Sequence, residues 1–482
     1  MRHQRVVRGR REEQLTPVDR DRAGEREGER TRMRVSRCSR LLVLLVAIFA
    51  WLVPTGRAMA ADKPADNEVP PGMAMPASET PPGDAPAPTP TPPEAKPKPK
   101  PKAPLTDPST KRVSLETAFY TDSDHVTVFS PSVAASLENV TQGVSIHGSY
   151  LVDVVSAASI DIVSTASQRW HEVRNAGALE AEYKPHEFGV SIGGSGSAEP
   201  DYVSYGAGIA ITQDLNEKNT TLLAGYGYSH DLAGRHGVDG PATPFSVYAR
   251  ALERGTFNAG VTQVIDRSTV LSVAADAVFE NGDQSKPYRY IPMFAPNVAA
   301  QAPVGATIEW VNQNRLPERP LEQLPLSRQR FAVTGRLGHR FTSSTLRLEE
   351  RLYDDSWELV ASTTDARWIF DLGRRFALWP HARLNVQSAV NFWQRAYVSE
   401  STATATGASF NLPEFRTGDR ELGPLRTVTG GGGARFFLGP NAEPDQWSLT
   451  FAADVMHSSY LNDLYLTNTT GTIMSLTFEG EL

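Results

Sequence analysis

Hydrophobic and polar residues alternate along most of the chain between Arg112 and Leu482, and few segments keep a helical period over three turns. A period of two places successive side chains on opposite faces of a strand. In one segment the first face is formed by Phe331, Val333, Gly335, Leu337, His339 and Phe341, and the second by Ala332, Thr334, Arg336, Gly338 and Arg340. The pattern therefore predicts a protein built of β-strands.

The length of these strands distinguishes a membrane barrel from a soluble sandwich. Several alternating segments reach ten residues or more, whereas sandwich strands usually have about five or six and a tilted membrane strand needs about 9 to 11. Aromatic residues gather toward segment ends, as in the girdles of membrane barrels; they are Trp170, Trp368, Trp379, Trp393, Tyr226, Tyr228, Phe436 and Phe437. We therefore predict an all-β fold, a transmembrane antiparallel β-barrel.

Turn signals set the number of strands. Short polar turns such as Gly373-Arg374-Arg375 alternate with long connections, chiefly 229–255, 280–327 and 399–422. If Phe245–Leu252 belongs to a loop, the count is sixteen, within a range of fourteen to eighteen, and even numbers are usual for single-chain bacterial barrels. The strands are expected to start near residues 112, 125, 141, 168, 187, 201, 219, 256, 269, 328, 345, 361, 376, 424, 447 and 466.

The end of the chain continues the alternation. Met474, Leu476, Phe478, Gly480 and Leu482 share one face of a final strand. This strand is similar to the terminal strand that the outer-membrane barrel-assembly machinery recognises, although that signal more often ends in Phe. We expect the assembly machinery to be a partner.

The first 110 residues do not follow the strand pattern. Residues 1–32 are a doubtful N-terminal extension, and residues 33–60 have the basic start, apolar run and Ala-Met-Ala site of a signal peptide. Residues 61–110 are predicted to be a disordered Pro/Lys-rich periplasmic linker, because 16 prolines lie between Asp62 and Pro108. The barrel is assigned to residues 111–482.

Composition excludes several classes of function. The only cysteine, Cys38, precedes the predicted cleavage site, so the exported chain has no disulfide or Cys-ligated metal. The chain carries a formal charge of −7, and residues 1–60 contain 14 Arg against 7 Asp and Glu, which leaves −14 for the remainder. An acidic body argues against a nucleic-acid partner.

Six strings in order along the chain carry a family resemblance. They are 153–159, 199–204, 219–221, 287–289, 318–320 and 353–357, and the residues singled out in them are Asp153, Ser156, Ser159, Glu199, Asp201, Tyr202, Asn219, Pro287, Tyr288, Arg289, Tyr353, Asp355 and Trp357. Together they resemble the bacterial domain-of-unknown-function family numbered three-five-seven-zero, over roughly residues 113–482. The resemblance implies an outer-membrane β-barrel and no catalytic residues.

Charged residues on the predicted inward faces are the main candidates for a functional site. On the strand register above, the lumen charges are Arg336, Arg340, Arg347, Glu349, Arg351, Arg383, Arg395 and Asp454. Charges are tolerated there, whereas an Arg facing lipid near the bilayer centre costs about 2–4 kcal/mol. One interpretation is a network of ion pairs that braces the barrel, and the other is a cationic constriction that favours anionic solutes.

These observations favour a porin-like channel for small hydrophilic solutes in the bacterial outer membrane, surrounded by outer-membrane lipid and lipopolysaccharide. The alternative is a closed structural or adhesive barrel whose long extracellular loops bind a surface partner, and the third hypothesis is an outer-membrane hydrolase. We expect no enzyme activity, no cofactor, no metal and no nucleic-acid partner. An anionic solute is the candidate ligand.

Overall fold

A computed structural model describes residues 109–157, 170–200, 202–235, 248–286, 289–404, 407–438 and 447–482. The predicted extension (1–32), signal peptide (33–60) and most of the linker (61–108) lie outside the described residues. The first strand starts at Ser109, so the last two residues assigned to the linker belong to the barrel.

Sixteen antiparallel strands close into one barrel in chain order, and the last pairs with the first. They are β1 (Ser109–Asp122), β2 (Thr127–Asn139), β3 (Val144–Ala157), β4 (Trp170–Tyr183), β5 (Phe188–Ala198), β6 (Tyr202–Leu215), β7 (Thr220–Arg235), β8 (Tyr248–Asp266), β9 (Thr269–Gly282), β11 (Ser327–Arg340), β12 (Ser344–Asp355), β13 (Val360–Asp371), β14 (Phe376–Gln387), β18 (Leu425–Phe437), β19 (Trp447–Tyr460) and β20 (Asn468–Glu481). The predicted fold class and strand count are confirmed.

The barrel has polar residues inside and apolar residues outside. Ile192, Ile209 and Phe451 are 59%, 50% and 48% exposed, and large apolar side chains at alternate positions on the other strands are exposed in the same way. Asp231, by contrast, is fully buried on the opposite face of the sheet. Because apolar side chains cover the outer face, the barrel is of the type that spans an outer membrane.

The two ends of the barrel differ in their connections. The loop end carries the connections 283–326 and 388–424, whereas the turn end carries short turns such as 341–343. At the turn between β6 and β7, three successive non-glycine residues, Asn216, Glu217 and Lys218, have positive φ angles. Asn219 supports this turn, because its side-chain amide donates to the Asn216 carbonyl at 2.8 Å.

Aromatic side chains mark both edges of the apolar band. Near the loop end, Phe279 contacts Phe257 and Phe331 edge to face, at 5.9 and 6.1 Å between ring centroids. Phe341 lies beside Trp368 at the turn end, with the two rings tilted by 41°. Ten residues separate Phe331 from Phe341, about 34 Å along a strand and roughly 25 Å in height at the usual tilt, which matches the apolar band of an outer-membrane barrel.

Two predicted girdle residues lie elsewhere. Trp379 is on the inward face of β14 and is only 8% exposed. Trp393 lies in the connection 388–424, where its indole nitrogen donates to the Asn462 carbonyl. The sequence pattern assigned both residues to a girdle because it does not distinguish an aromatic side chain at the membrane edge from one packed inside the protein.

The predicted loop 229–255 is mostly strand. β7 continues to Arg235 and β8 begins at Tyr248. Ser229 pairs with Gly206 of β6, and Arg235 pairs with Tyr248 of β8. The interpretation of Phe245–Leu252 as loop is therefore wrong for residues 248–252, which extend β8. Strand hydrogen bonds continue beyond the apolar band, where both faces can be polar and the alternation of hydrophobicity stops.

Arg395 does not lie on a barrel strand. β14 ends at Gln387, and Arg395 is in the following connection, where it donates to the Asn462 side chain at 2.8 Å. The apolar residues Val390 and Phe392 continue the alternation by chance, because they pack into a loop core instead of facing lipid.

The two long connections form a packed unit, which we call the loop cap: residues 283–286 and 289–326 with residues 388–404 and 407–424. Its short elements are β10 (Met293–Phe294), β15 (Tyr397–Val398), β16 (Glu400–Thr404), β17 (Gly407–Asn411), α1 (Pro296–Ala299), α2 (Ile308–Asn314) and a 3-10 helix (Arg420–Leu422). Of the helices in the described part of the chain, none is long and apolar enough to cross a membrane.

Candidate functional site: the charged lumen and the loop cap

The structure places seven of the eight predicted lumen charges on inward faces of strands. They are Arg336, Arg340, Arg347, Glu349, Arg351, Arg383 and Asp454. Each alternates with outward apolar neighbours, for example Leu348 and Leu384. Arg395, in the loop cap, is the exception.

Ion pairs connect neighbouring strands, and strands one further apart, along this wall. Arg336 Nε lies 2.7 Å from Glu349 Oε2, and Arg340 Nη2 lies 2.5 Å from Asp371 Oδ2. Arg351 reaches across β11 to Asp276 at 3.2 Å. These contacts have the geometry that the bracing interpretation requires. The carboxylates Asp276 and Asp371 were not among the predicted site residues, although the strand register places them inward.

His381 is held between two carboxylates in the same wall. Its Nε2 lies 2.9 Å from Asp365 Oδ2 and its Nδ1 lies 2.9 Å from Asp454 Oδ1. An ionised carboxylate only accepts hydrogen bonds, so the imidazole can satisfy both partners only when both ring nitrogens carry protons. The geometry therefore favours a charged His381 that links β13, β14 and β19.

Glycines of β18 make room for this arrangement. A Cβ on Gly431 would lie 2.2 Å from Asp454 Oδ1 and from the Ala453 carbonyl oxygen. A Cβ on Gly433 would lie 2.3 Å from the Trp379 ring, which rests on the β18 backbone. Glycines 431 to 433 of this run thus have a packing role within a strand.

We predict that Gly431→Ala displaces the Asp454 side chain from His381 and destabilises the barrel by about 1–3 kcal/mol, the usual cost of overpacking. Gly430→Ala is the matched control, because nothing lies within 4 Å of a Cβ at that position. Urea midpoints in detergent compare the two variants. Equal midpoints would show that the barrel accommodates the added methyl group at Gly431 without loss of stability.

A second polar network lies at the loop end of the lumen. Asp231 accepts from Ser204 Oγ at 2.6 Å and pairs with Arg254 at 3.3 Å. Arg254 Nε also lies 2.9 Å from Glu280 Oε1, which Arg330 approaches at 3.4 Å. Asp231 was predicted to lie in a loop. Extending the predicted strand β7 to residue 235 would have placed Asp231 on the inward face of the barrel.

Asp355 joins β12 to the start of β11 and to the next connection. Arg328 donates to its Oδ2 from Nε and Nη2, and the Tyr353 hydroxyl donates to the same oxygen at 2.8 Å. The backbone N–H of Trp357 donates to Oδ1 at 2.9 Å, and Arg328 stacks over the Trp357 ring at 4.2 Å. Three of the family-like residues therefore form one structural unit.

The remaining family-like residues are distributed over both barrel ends. Asp153 is buried between Ser130 Oγ at 2.5 Å and Arg174 Nε at 2.9 Å, and Tyr202 starts β6 on its inward face. The Glu199 N–H donates to the Tyr202 carbonyl in the β5–β6 connection. Ser156 pairs through its backbone with Thr127. Asn219 lies at the turn end, and Ser159, Asp201, Pro287 and Tyr288 lie outside the described residues.

The loop cap has its own hydrophobic core. Met293 and Phe294 are completely buried, and Ile291 is 1% exposed, which makes them the most buried large apolar residues described. Phe294 packs with Val311 of α2 and with Leu464 of the β19–β20 connection. The cap is thus a folded unit attached to the loop end of the barrel. No spacing rule in the sequence identified these contacts, because the cap segments have no regular period.

Arg289 fastens the two halves of the cap. Its Nη1 lies 3.2 Å from Glu322 Oε1 and 2.9 Å from Asp419 Oδ2. Burial alone lowers the pKa of an arginine, but the charges of Asp419 and Glu322 outweigh it and raise the pKa of Arg289 above its usual value. Glu322 also accepts from Thr417 Oγ1 at 2.7 Å. Burial raises the pKa of the neighbouring Tyr397 to about 12.

The described residues contain no group of three His, Asp or Glu side chains that could hold a metal ion. The polar groups instead contact one another across strands and within the cap. The arrangement can brace a barrel, line a water-filled passage and hold a cap over part of its loop end.

The model of a family described as "Protein of unknown function (DUF3570)" matches residues 100–439. The chain belongs to this family. The match confirms the resemblance carried by the six sequence strings. No curated protein matches this DUF3570 chain.

Solved structures similar to the DUF3570 chain include two receptors and a channel. The siderophore receptor PirA from Acinetobacter baumannii has a TM-score of 0.36 at 13% identity and covers 74% of this chain and 54% of its own. The ferric enterobactin receptor PfeA from Pseudomonas aeruginosa has a TM-score of 0.36 at 9% identity, and the match covers 73% of this chain and 54% of the receptor. The CymD monoaromatic hydrocarbon channel has a TM-score of 0.37 at 7% identity, and the match covers 77% of this chain and 88% of the channel. The chain spans about half the length of the two receptors.

Proposed function

We propose that this DUF3570 protein is an outer-membrane channel through which small hydrophilic solutes diffuse, and that it has no enzymatic activity. The observation that carries the proposal is the exposure of inward-facing charges. The side chains of Arg383, Arg336 and Arg340 are 51%, 41% and 35% exposed although they point into a closed ring of strands. Exposure of this kind is expected of charges that line a water-accessible interior, and it supports the proposal.

The strand number supports the same proposal. Barrels of about 16 strands leave an aqueous channel, whereas those of about 8 are filled by their own side chains. Much of the inward face between β2 and β7 consists of small residues, among them Ser132, Ser149, Ser191, Gly193 and Gly208. Small side chains on one wall keep the cross-section wide.

The surroundings of the barrel follow from its outer face. The apolar band between the aromatic edges would contact outer-membrane lipid and lipopolysaccharide, and β20 would be the segment that the barrel-assembly machinery engages. The Pro/Lys-rich linker would lie in the periplasm, on the side of the turn end where β1 begins. The loop cap would then face the cell exterior and restrict solute entry.

Cysteine accessibility tests the water-filled lumen. The chain has one cysteine, so a Cys38→Ser background accepts single probes. We predict that Ser191→Cys, on the inward face of β5, reacts with a membrane-impermeant maleimide carrying a polyethylene glycol chain, and that the reaction slows sugar-driven swelling of liposomes. Ile192→Cys, next in sequence and 59% exposed on the outer face, should stay unreacted in lipid.

Two results would count against the channel. One is an unreactive Ser191→Cys in protein that unboiled gel mobility shows to be folded. The other is an absence of swelling before modification, even in the smallest sugars.

A further inference from the structure

The turn-end part of the lumen carries opposite charges on opposite walls. Counted around the ring, β2 and β11 are eight strands apart, and so are β4 and β13. In a ring of sixteen these pairs face each other across the lumen. Charges on their inward faces therefore act on a solute from two sides.

One wall is acidic. Glu138 of β2 and Glu180 and Glu182 of β4 point inward within three residues of the turn end of their strands. On the described inward faces of β2 to β5, the only Lys or Arg is Arg174, which pairs with Asp153 near the loop end. Lys184, in the adjoining β4–β5 turn, pairs with Asp214 of β6 at 3.0 Å. At that height the carboxylates of this wall therefore outnumber its cations.

The opposite wall has an excess of arginine. From Arg336 to the turn end, the inward faces of β11 to β14 hold five arginines and three carboxylates: Arg336, Arg340, Arg347, Arg367 and Arg383 with Glu349, Asp365 and Asp371. Asp365 is also shared with His381 at 2.9 Å. Buried Arg367 Nε has no hydrogen-bond partner among the described residues. The arginines of this wall therefore outnumber its carboxylates by two.

We propose that these walls form a transverse electric field that selects small zwitterions, solutes with one carboxylate and one ammonium group. This inference rests on the proposed channel function. A zwitterion can place its carboxylate toward Arg347 and Arg367 and its ammonium toward Glu180 and Glu182, so that both of its charged groups are attracted. A neutral solute gains from neither wall, and a solute with a single charge is attracted by one wall and repelled by the other.

The test compares two solutes of the same number of heavy atoms in liposome swelling, 4-aminobutyrate and uncharged 4-hydroxybutanamide. We expect the zwitterion to enter about two- to threefold faster through the wild-type protein, because its dipole aligns with the field. Glu138→Gln, Glu180→Gln and Glu182→Gln together should remove this preference and shift the reversal potential toward anions. Glu187→Gln, in the exposed β4–β5 turn, is the matched control for loss of a carboxylate and should keep the preference.

Inverting the field gives a further arm. Glu180→Arg and Glu182→Arg combined with Arg347→Glu and Arg367→Glu reverse both walls, and a zwitterion can turn around, so the preference should return. Equal rates for the two solutes in the wild type would overturn the inference while leaving the channel intact. Swelling in neither solute would instead count against the channel itself.

Discussion

Arg289→Ala is expected to release the loop cap from its closed arrangement. The substitution leaves the Glu322 carboxylate, whose side chain is fully buried, without its cation. Removing one partner of a buried ion pair costs about 3–5 kcal/mol. The cost falls on the junction between residues 289–326 and 407–424, because Arg289 also holds Asp419. We therefore expect the cap to open while the barrel stays folded.

Limited proteolysis and conductance measure this effect together. The variant should be cut within 289–326 at protease levels that leave the wild type intact, and its single-channel conductance should rise. Arg374→Ala, an exposed arginine in the turn between β13 and β14, is the control for loss of a guanidinium. Unchanged proteolysis would refute the fastening role of Arg289; cleavage without a conductance change would show that the cap does not restrict the pore.

Ile209→Arg and Ala210→Arg are expected to have opposite consequences although the positions are adjacent. Ile209 is 50% exposed on the outer face, six residues from the turn end of β6, whereas Ala210 points inward. An arginine facing lipid near the bilayer centre costs about 2–4 kcal/mol. An arginine in a water-filled lumen keeps its hydration and costs little.

Urea titration in lipid vesicles distinguishes the two variants. The midpoint of Ile209→Arg should fall clearly below the wild-type midpoint, and that of Ala210→Arg should stay close to it. A larger loss for Ala210→Arg would mean that the assignment of inner and outer faces is reversed or that the lumen is packed at this height.

The barrel was predictable because the membrane imposes one rule on every strand. Ile209, Leu348 and Phe451 alternate with small or polar residues, and this period gives strand number, register and the inward position of Arg336 directly. The rule ends where the lipid ends. β7 therefore continues past its predicted boundary at Ser229, and β8 begins at Tyr248, before its predicted start near 256. The alternation at Val390 and Phe392 suggested a strand position for Arg395, which lies in a connection.

The site was only partly predictable because its contacts join distant segments. Arg289, Glu322 and Asp419 meet across more than a hundred residues of chain, and no local pattern pairs them. The cap core around Phe294 has the same property. The two charged walls of the lumen were more predictable, since the strand register places Glu180 and Arg367 on inward faces. The closed ring order was still needed to show that their strands face each other.

Single-channel recording in a planar bilayer tests the central claim, a water-filled lumen, most directly. The wild-type protein, shown to be folded by unboiled gel mobility, should insert and produce stable stepwise conductance in potassium chloride. Steps of uniform size would agree with one lumen per inserted barrel. Folded protein that inserts and never conducts would contradict the channel and assign the exposed inward charges to a barrel closed by its cap.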